Sequence, residues 1–243
     1  MSRPVRLDRL LVQRGLAPSR ARARELIEEG RVTYDGLKRT KTSTQVNPDR
    51  EVLVDAPDHS WVSRGAKKLL GAIDSFGVDP RGQTCADLGA STGGFTEVLL
   101  ERGAKRVYAI DVGVKQLAYK LRNDSRVVLK EGINARYLEE LPEAISLVVG
   151  DLSFISLRLI LPTVIRLLGD GGEAVLLVKP QFEVGPAAVG KGGKVRDENA
   201  RKQAIEAIGL EAQSLGMTIV GGQDCTVPGA KAGNIEYFFH LRQ

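Results

Sequence analysis

The stretch CADLGASTGGF, Cys85–Phe95, decides the fold predicted for this chain. Its first half is a short apolar run that ends in an acidic residue, as buried strands often do, and its second half is a glycine-rich turn. A helix is predicted from Thr96. Such a turn lets a ligand come close to the backbone and directs amide groups at it. Asp111 ends the next apolar run, RVYAID, where its carboxylate can accept hydrogen bonds from a pair of ribose hydroxyls.

The glycine pattern of this turn argues against a dinucleotide cofactor. In the fingerprint G-x-G-x-x-G, the second glycine makes room for a pyrophosphate. Here the register would be Gly89, Ser91 and Gly94, so a serine takes that second position. An acidic residue before a loop with a less strict glycine pattern suits a cationic cofactor without phosphate, such as S-adenosylmethionine. The alternative is a purely structural turn in an enzyme of another kind.

Strand and helix patterns alternate from Ser63 onwards. The stretch SRGAKKLLGAIDSFG predicts an amphipathic helix. Near-continuous apolar runs are typical of buried parallel strands, and there are five of them: TCADLG, RVYAID, RVVLK, ISLVVGD and EAVLLVK. The segments MTIVGGQDCTV and NIEYFFHL predict a closing antiparallel pair. We therefore expect an α/β domain with an open sheet similar to that of the Rossmann-like methyltransferases, behind a separate N-terminal unit.

Positive charge is concentrated at the N-terminal end of the chain. Residues 1–41 hold eleven Lys or Arg and five Asp or Glu, a balance of +6, whereas all 243 residues together carry +5. A basic N-terminal segment followed by a near-neutral remainder indicates a polyanion-binding module attached to a second, different unit. The charge alone is equally consistent with a solvated surface.

Composition excludes several classes of protein. The only cysteines are Cys85 and Cys225, without Cys-x-x-Cys spacing, so we expect neither a disulfide framework nor a metal site. The start of the chain, MSRPVRLDRL, lacks the apolar core of a signal peptide. The longest apolar runs, such as residues 174–178, are too short to span a bilayer. We therefore expect a soluble, cytoplasmic protein without a membrane partner, and the sequence does not indicate its oligomeric state.

The segment from Val5 to about Val54 predicts a compact unit of two short helices and a small sheet. The first helix ends at Gly15, and the second begins at Pro18-Ser19 and ends at Gly30. The runs RVTYDG and EVLV are of β type and are separated by a polar, basic stretch.

This unit resembles the S4 RNA-binding domain. The pattern RLD-x-LLV-x-RG-LA-x-SR-x-x-A-x-x-LI-x-x-G-x-V extends across most of the segment. In that family the arginine-bearing second helix and the following loop lie against structured RNA, which is held through charge and shape. The resemblance implies six contact residues: Arg6, Arg20, Arg24, Arg31, Lys38 and Lys41.

Four charged residues stand out in the rest of the chain. Lys68 lies on the first predicted helix, Asp151 ends the strand ISLVVGD, Lys179 ends AVLLVK, and Glu236 lies inside the late strand NIEYFFHL. A charge within or at the end of an apolar strand is costly unless it is paired or functional. Each alone fits a surface charge or a structural ion pair. Together they indicate a site, because ligands of such sheets bind at the carboxyl ends of the strands.

The order Lys, Asp, Lys, Glu resembles the tetrad of the FtsJ/RrmJ-like ribose 2′-O-methyltransferases. The whole chain resembles the TlyA family, in which an S4 domain precedes an FtsJ-like domain. The resemblance implies S-adenosylmethionine-dependent 2′-O-methylation of a cytidine in ribosomal RNA. The family commonly has RGAHK where this chain has RGAKK, and we match Lys68 rather than Lys67 to the catalytic position. The matching pieces are WVSRGAKKL, DLGASTGGFTEVLL, DLSFISL, VKPQFEVG and GNIEYF.

The resemblance assigns Lys68, Asp151, Lys179 and Glu236 to catalysis. Lys179 would be the base, and for that it must be neutral part of the time. Burial and the neighbouring Lys68 favour the neutral form, whereas the two acids oppose it. The acids would instead hold the lysines and the ribose hydroxyl in place, and much of the acceleration would come from alignment.

The residues expected to hold the cofactor come from the glycine-rich turn and the ends of neighbouring strands. Asn134, in EGINAR, is placed near the adenine. Phe95 and Phe154 could line the pocket, although core packing is the preferred prediction for both. The expected cofactor residues are Asp87, Gly89, Ala90, Ser91, Gly93, Gly94, Asp111, Asn134 and Asp151.

We predict three parts, an S4-like RNA-binding domain at 1–58, a linker at 59–64 and a methyltransferase domain at 65–243. The expected partner is ribosomal RNA in a ribosomal subunit. TlyA-like proteins come in shorter and longer forms, and this chain looks like the shorter form, which favours 23S rRNA of the 50S subunit over 16S rRNA. The alternatives are a small-molecule methyltransferase, an S4 module with an inert catalytic domain, and a pore-forming haemolysin.

Overall fold

The computed structural model divides the chain into two compact units, Met1–Ser63 and Arg64–Gln243. The start of the predicted linker and the residue Pro18 lie outside the described part of the chain. No helix among the described residues is long and apolar enough to cross a membrane. The structure describes residues 3–17, 19–28, 30–55, 61–229 and 232–243.

The first unit contains two helices and two small antiparallel sheets. One sheet pairs the first strand with the fourth, and the other has the strand order β3-β2-β5. In chain order the elements are β1 (Val5–Arg6), α1 (Leu7–Gln13), α2 (Arg20–Glu28), β2 (Val32–Tyr34), β3 (Leu37–Arg39), β4 (Gln45–Val46) and β5 (Val52–Val54).

The helices of this unit form where the apolar spacing predicts them. The hydroxyl of Ser19 caps α2 by accepting a hydrogen bond from the amide of Arg22 at 3.2 Å. Gly15 and Gly30, the predicted helix ends, both have positive φ, which glycine adopts without a steric penalty. The inner faces of the helices meet the sheet in one small core, which includes Leu7, Leu10, Leu11, Ala23, Leu26, Ile27 and Val32.

The second unit is built on a seven-stranded sheet with the order β11-β12-β10-β9-β6-β7-β8. Neighbouring strands are parallel, except that β12 runs antiparallel to both β10 and β11. The predicted α/β fold, with five parallel strands and a closing antiparallel pair, is therefore confirmed. The elements are α3 (Gly65–Phe76), β6 (Thr84–Leu88), α4 (Gly94–Glu101), β7 (Arg106–Asp111), α5 (Tyr119–Arg122), β8 (Val127–Glu131), β9 (Ile145–Gly150), α6 (Leu161–Leu167), β10 (Leu168–Val178), α7 (Glu198–Ser214), β11 (Thr218–Asp224) and β12 (Tyr237–Arg242).

Helices cover both faces of the sheet, which explains the near-continuous apolar strands. Ala86 and Leu88 share a core with residues of α6 and α7. Because side chains alternate along a strand, Asp87 faces the other side, where α4 packs. There the hydroxyl of Thr96 on α4 donates a hydrogen bond to Asp87 at 2.7 Å. The fold thus buries an acidic side chain under the glycine-rich turn.

Three predicted boundaries differ from the structure. Helix α4 begins at Gly94, two residues before the predicted start, because Gly93 at φ 97° already turns the chain into the helix. Strand β10 begins at Leu168 and reaches the predicted run EAVLLVK through a register irregularity between Leu168 and Glu173. Glu236 immediately precedes β12 instead of lying within it, because the pairing of that strand starts at Tyr237.

Candidate active site

The four charged residues predicted to form a site meet at one edge of the sheet. Lys68 comes from the first turn of α3, and Glu236 stands just before β12. Asp151 follows the last residue of β9, and Lys179 follows the last residue of β10. The strands β9 and β10 are parallel neighbours, so both residues emerge at the carboxyl edge of the sheet.

These side chains form a continuous chain of charges in the order Glu236, Lys68, Asp151, Lys179. The Nζ atom of Lys68 lies 2.6 Å from Oε2 of Glu236 and 3.8 Å from Oδ2 of Asp151. The Nζ atom of Lys179 lies 2.5 Å from Oδ1 of Asp151. The exposed fractions of the side chains are 3% for Glu236, 10% for Lys68, 20% for Asp151 and 11% for Lys179. Each charge is therefore compensated by a neighbour while it is largely removed from solvent.

The interactions among these four side chains determine the charge of Lys68 and Asp151. Burial lowers the pKa of Lys68, but Asp151 and Glu236 more than offset it, so the pKa lies above its usual value. Burial raises the pKa of Asp151, whereas Lys179 and Lys68 bring it below its usual value. Glu236 has a raised pKa, because burial and Asp151 outweigh the attraction of Lys68. Lys68 is thus protonated and Asp151 ionised at neutral pH.

The loop after β9 carries a further contact to Lys179. The Nζ atom of Lys179 donates a hydrogen bond to Oγ of Ser153 at 2.7 Å. Ser153 was not predicted from the sequence, although its place two residues after Asp151 in DLSF was an available signal. Lys179 therefore has two oxygen neighbours from the same loop, an ion-paired carboxylate and a hydroxyl acceptor.

Phe154, in the same loop, is not a core residue, and the prediction of core packing is wrong for it. Its side chain is 86% exposed and its φ is 65°, a left-handed conformation that is strained for an aromatic residue. Its ring centroid lies 5.2 Å from that of Phe182 in the loop after β10. For Phe95 the prediction is confirmed, since this residue is buried and stacks on Phe238.

Glu183 connects the two loops that carry Asp151 and Lys179. Its carboxylate accepts hydrogen bonds from Oγ of Ser156 at 2.6 Å and from the amide of Leu157 at 2.7 Å. Burial raises the pKa of Glu183 despite these two donors. Glu183 was not predicted from the sequence either, although it is an acidic residue shortly after the apolar strand, in QFEVG. Its effect is to hold the two loops in a fixed relation.

The glycine-rich turn folds around the carboxylate of Asp111, at the end of β7. One oxygen accepts the amide of Ser91 at 2.8 Å, and the other accepts the amide of Gly113 at 2.6 Å. Gly93, whose amide donates to the carbonyl of Ala90 at 2.7 Å, closes the turn. The φ of Gly93 is 97°, which strains any other residue, and an added Cβ atom would also displace the side chain of Leu121. The predicted cofactor residues of the turn and Asp111 thus form one structure.

Gly89 brings the turn into contact with the charged cluster. Its φ is 87°, and a Cβ atom added to it would lie 2.9 Å from the backbone oxygen of Asp151. The amide of Asp151 in turn donates to the carbonyl of Leu88 at 3.1 Å. The backbones of the turn and of the β9 loop are therefore packed directly against each other, which leaves no room for a side chain at this position.

Asp87 supplies an unpaired acceptor beneath the turn. The side chain is fully buried, and its Oδ1 atom has no hydrogen-bond partner among the described residues. Burial raises the pKa of Asp87 to about 7, and the charges of Asp151 and Asp111 act in the same direction against the hydrogen bonds from Thr96. A buried acceptor without a donor is suited to a ligand that brings a positive charge or a donor.

Asn134 stands at the same edge of the sheet, next to the strand that follows Asp111. The amide of Ile133 donates to the carbonyl of Asp111 at 3.0 Å, which fixes the start of this segment. The side-chain oxygen of Asn134 accepts the amide of Arg136 at 3.0 Å and caps the turn Ala135–Tyr137. The residue is solvent-exposed.

Two of the six predicted RNA contacts also have a structural task in the first unit. Arg6 makes a two-pronged hydrogen bond to Asp8, with both distances 3.0 Å, and Arg20 adds a third bond of 3.0 Å. Asp8 is fully buried, and although burial opposes it, the two arginines bring its pKa below the usual value. Arg24, Lys38 and Lys41 are exposed, and Arg31 is half-buried.

Metal chemistry has no ligand set in the part of the chain that the structure describes. No group of three or more His, Cys, Asp or Glu side chains is arranged there to hold a metal ion. Cys85 and Cys225 are both free and buried.

Both units match known protein families. Residues 61–243 match the FtsJ-like methyltransferase family, and residues 5–52 match the S4 domain. The 16S/23S rRNA (cytidine-2′-O)-methyltransferase TlyA of Mycobacterium tuberculosis (strain CDC 1551 / Oshkosh) is 50% identical over 247 residues, which cover 100% of this chain and 91% of the relative.

Two further proteins are similar to this chain over nearly its full length. The 23S rRNA (cytidine-2′-O)-methyltransferase TlyA of Campylobacter jejuni is 33% identical, with 94% of this chain and 96% of the relative covered. A solved structure from Streptococcus thermophilus, of a protein described as a candidate hemolysin, is 38% identical with a TM-score of 0.78 and covers 100% of this chain and 90% of that one. The chain therefore belongs to the FtsJ-like methyltransferases and, among them, to the TlyA family, in which an S4 domain precedes the methyltransferase domain.

Proposed function

We propose that this protein transfers a methyl group from S-adenosylmethionine to the ribose 2′-hydroxyl of a cytidine in ribosomal RNA. The observation that carries the proposal is the cluster of Lys68, Asp151, Lys179 and Glu236, packed directly against the glycine-rich turn. It puts two lysines and two acids beside a cofactor loop, at the edge of the sheet where ligands bind.

The two lysines have different tasks in this proposal. A ribose hydroxyl keeps its proton at neutral pH, so its attack on a methyl group needs a base or strong orientation. Glu236 and Asp151 keep Lys68 in its charged form, so Lys68 orients the neighbouring groups and neutralises the two carboxylates. Lys179, at the other end of the chain of charges, is the residue to which we assign the acceptance of the proton. Asp151 holds Lys179, and Glu236 holds Lys68.

The residues around the turn fit S-adenosylmethionine. Bound there, it supplies a methyl group that is activated by its sulfonium charge. The unpaired Oδ1 atom of Asp87 offers a buried acceptor for a cationic ligand, and the carboxylate of Asp111 is placed to accept ribose hydroxyls. The backbone of the turn can approach the ligand closely. The proposed contact residues are Asp87, Gly89, Ala90, Ser91, Gly93, Gly94, Asp111, Asn134 and Asp151.

The division of labour follows the two units. We assign RNA binding to residues 1–58, a linker to 59–64 and methyl transfer to 65–243. The exposed side chains of Arg24, Lys38 and Lys41 are available to phosphates, and Arg6 and Arg20 present their remaining donors while they hold Asp8. A methyltransferase of small molecules would leave this basic unit without a role.

Both rRNA methyltransferase relatives named above include 23S rRNA in their names, and one of them adds 16S rRNA. We therefore propose the 50S subunit as the preferred partner and the cytoplasm, where ribosomes work, as the location. Folded RNA is the expected substrate, because an S4-type surface recognises shape and phosphate positions.

Methyl transfer to purified ribosomal subunits tests the proposed function. With labelled S-adenosylmethionine and particles from a strain that lacks this protein, we expect label on the 2′-oxygen of one cytidine in 50S particles and little on 30S particles. Equal labelling of both would overturn only the 50S preference. Absence of label on either particle, with label on small molecules, would overturn the RNA substrate.

Alanine variants of adjacent lysines test the identity of the catalytic residues. Lys68→Ala and Lys179→Ala should each lower kcat at least about a hundredfold, because each removes one group from a concerted site. Lys67→Ala is the matched control and should keep kcat within about twofold. S-adenosylmethionine affinity and the circular dichroism spectrum report on folding in each variant. Loss of kcat in Lys67→Ala with activity retained in Lys68→Ala would reverse our assignment.

The raised pKa of Asp87, about 7, predicts pH-dependent cofactor binding. Only the ionised carboxylate attracts a cation, so below pH 7 binding must first remove a proton. The affinity for S-adenosylmethionine should rise by about tenfold from pH 6 to pH 8, with proton release measured by calorimetry in two buffers. Asp87→Asn should bind more weakly at pH 8 and without this dependence. Asp79→Asn, an exposed control, should behave as the wild type, and a flat wild-type profile would contradict the prediction.

A charge reversal on the first unit tests the RNA surface. Arg24→Glu should weaken binding to 50S particles and reduce the slope of log affinity against log salt by about 1, because one phosphate contact is lost. Lys105→Glu makes the same change of charge just before β7, at the opposite edge of the sheet from the active site, and should leave the slope unchanged. Equal slopes for the two variants would remove Arg24 from the RNA surface.

A further inference from the structure

The amine of Lys179 has two oxygen neighbours. Oδ1 of Asp151 forms an ion pair with it at 2.5 Å, and Oγ of Ser153 accepts a hydrogen bond from it at 2.7 Å. Both belong to the loop that follows β9, and Lys179 itself follows β10, which pairs with β9. The lysine side chain is 11% exposed, so its amine is largely removed from solvent.

The number of acceptors matters because of the shape of a lysine amine. The charged form carries three N–H bonds in tetrahedral directions, and the neutral form carries two N–H bonds and one lone pair. If both N–H bonds of the neutral amine are used by Asp151 and Ser153, the lone pair must occupy the remaining direction. With Asp151 alone, the amine could rotate about its last carbon–nitrogen bond and would point its lone pair in more than one direction.

We propose that Ser153 is a positioning residue that fixes this rotation and so directs the lone pair of Lys179 at the ribose 2′-hydroxyl. The inference rests on the proposed function, because it assigns a direction to the base of that reaction. The hydroxyl of Ser153 does not react. It acts only through the amine of Lys179.

The 2′-O–H bond of the ribose breaks, and its proton goes to the lone pair of Lys179. The 2′-oxygen forms a bond to the methyl carbon, and the bond between that carbon and the sulfonium sulfur breaks with its electron pair remaining on sulfur. The products are a 2′-O-methyl ribose, S-adenosylhomocysteine and a protonated Lys179, which then releases its extra proton to solvent.

The surrounding loop holds Ser153 in place. The nearest following serine, Ser156, already donates its hydroxyl to Glu183 at 2.6 Å, so it is engaged elsewhere. Glu183 also accepts the amide of Leu157. On the other side, the amide of Asp151 is bound to the carbonyl of Leu88. Ser153 thus lies in a segment that is fixed at both ends, with its hydroxyl on the side of Lys179.

Three variants test the inference by steady-state kinetics on 50S particles. Ser153→Ala should lower kcat by about tenfold to a hundredfold, because alignment of the base is lost, while the KM values for RNA and for S-adenosylmethionine change less than about twofold. Ser153→Thr retains an oxygen acceptor and should recover most of kcat. Ser146→Ala, an exposed serine in β9, is the control and should behave as the wild type.

A second measurement reads the contact without any substrate. In protein labelled with ¹⁵N-lysine, the side-chain signal of Lys179, assigned with Lys179→Ala, should be protected from solvent exchange in the wild type and in Ser153→Thr. It should be lost or weakened in Ser153→Ala. This result holds even if ribosomal RNA is not the substrate, so it separates a failure of the inference from a failure of the proposed function.

Unchanged kcat in Ser153→Ala, a raised KM with kcat preserved, or a Ser153→Thr variant as slow as Ser153→Ala would each overturn the positioning role. An exchange rate of the Lys179 amine that does not respond to Ser153→Ala would overturn the hydrogen bond on which the role depends.

Discussion

The site depends on one buried carboxylate held between two ammonium groups. Asp151 is 20% exposed, lies 2.5 Å from Lys179 and 3.8 Å from Lys68, and has a pKa below its usual value despite its burial. An isolated charge in such a place would cost several kcal/mol, and an unpaired lysine likewise. Each member of the cluster is therefore tolerable only because the others are present, which explains why four charged residues occur together among apolar strands.

The parallel sheet is what brings these residues together. Lys68 and Glu236 are separated by most of the chain, yet their side chains are 2.6 Å apart. Strands β6, β9 and β10 deliver the glycine-rich turn, Asp151 and Lys179 to the same edge. The contact between Gly89 and the backbone of Asp151 then couples the turn to the cluster. A shift of the turn by even a fraction of an ångström would be transmitted to Asp151, because the two backbones are in van der Waals contact.

Much of this arrangement could be predicted from the sequence, because the signals were local. Apolar runs predicted the strands, charges at two strand ends indicated Asp151 and Lys179, and the order Lys, Asp, Lys, Glu added Lys68 and Glu236. Which lysine pairs with which acid could not be predicted, since it depends on side-chain directions set by tertiary packing. The exposed, left-handed Phe154 was also out of reach, because its conformation follows from neighbours such as Phe182 and the loop anchored by Glu183. Core packing is the ordinary fate of a phenylalanine, and local sequence carries no sign of such strain.

The uneven charge of the chain assigns the attraction of a polyanion and the charged cluster to different parts of the chain. Residues 1–41 have a net charge of +6 and the whole chain has a net charge of +5, so the remaining residues together are close to neutral. Within the catalytic cluster two lysines balance two acids, and Lys68 is committed to Glu236 and Asp151. Such a cluster contributes little long-range attraction for a polyanion, since opposite charges a few ångströms apart cancel at a distance. Attraction must then come from the basic first unit, where Asp8 holds two arginines at the surface. In the proposed reaction, the cluster can therefore hold a base next to the RNA without also acting as a phosphate-binding site.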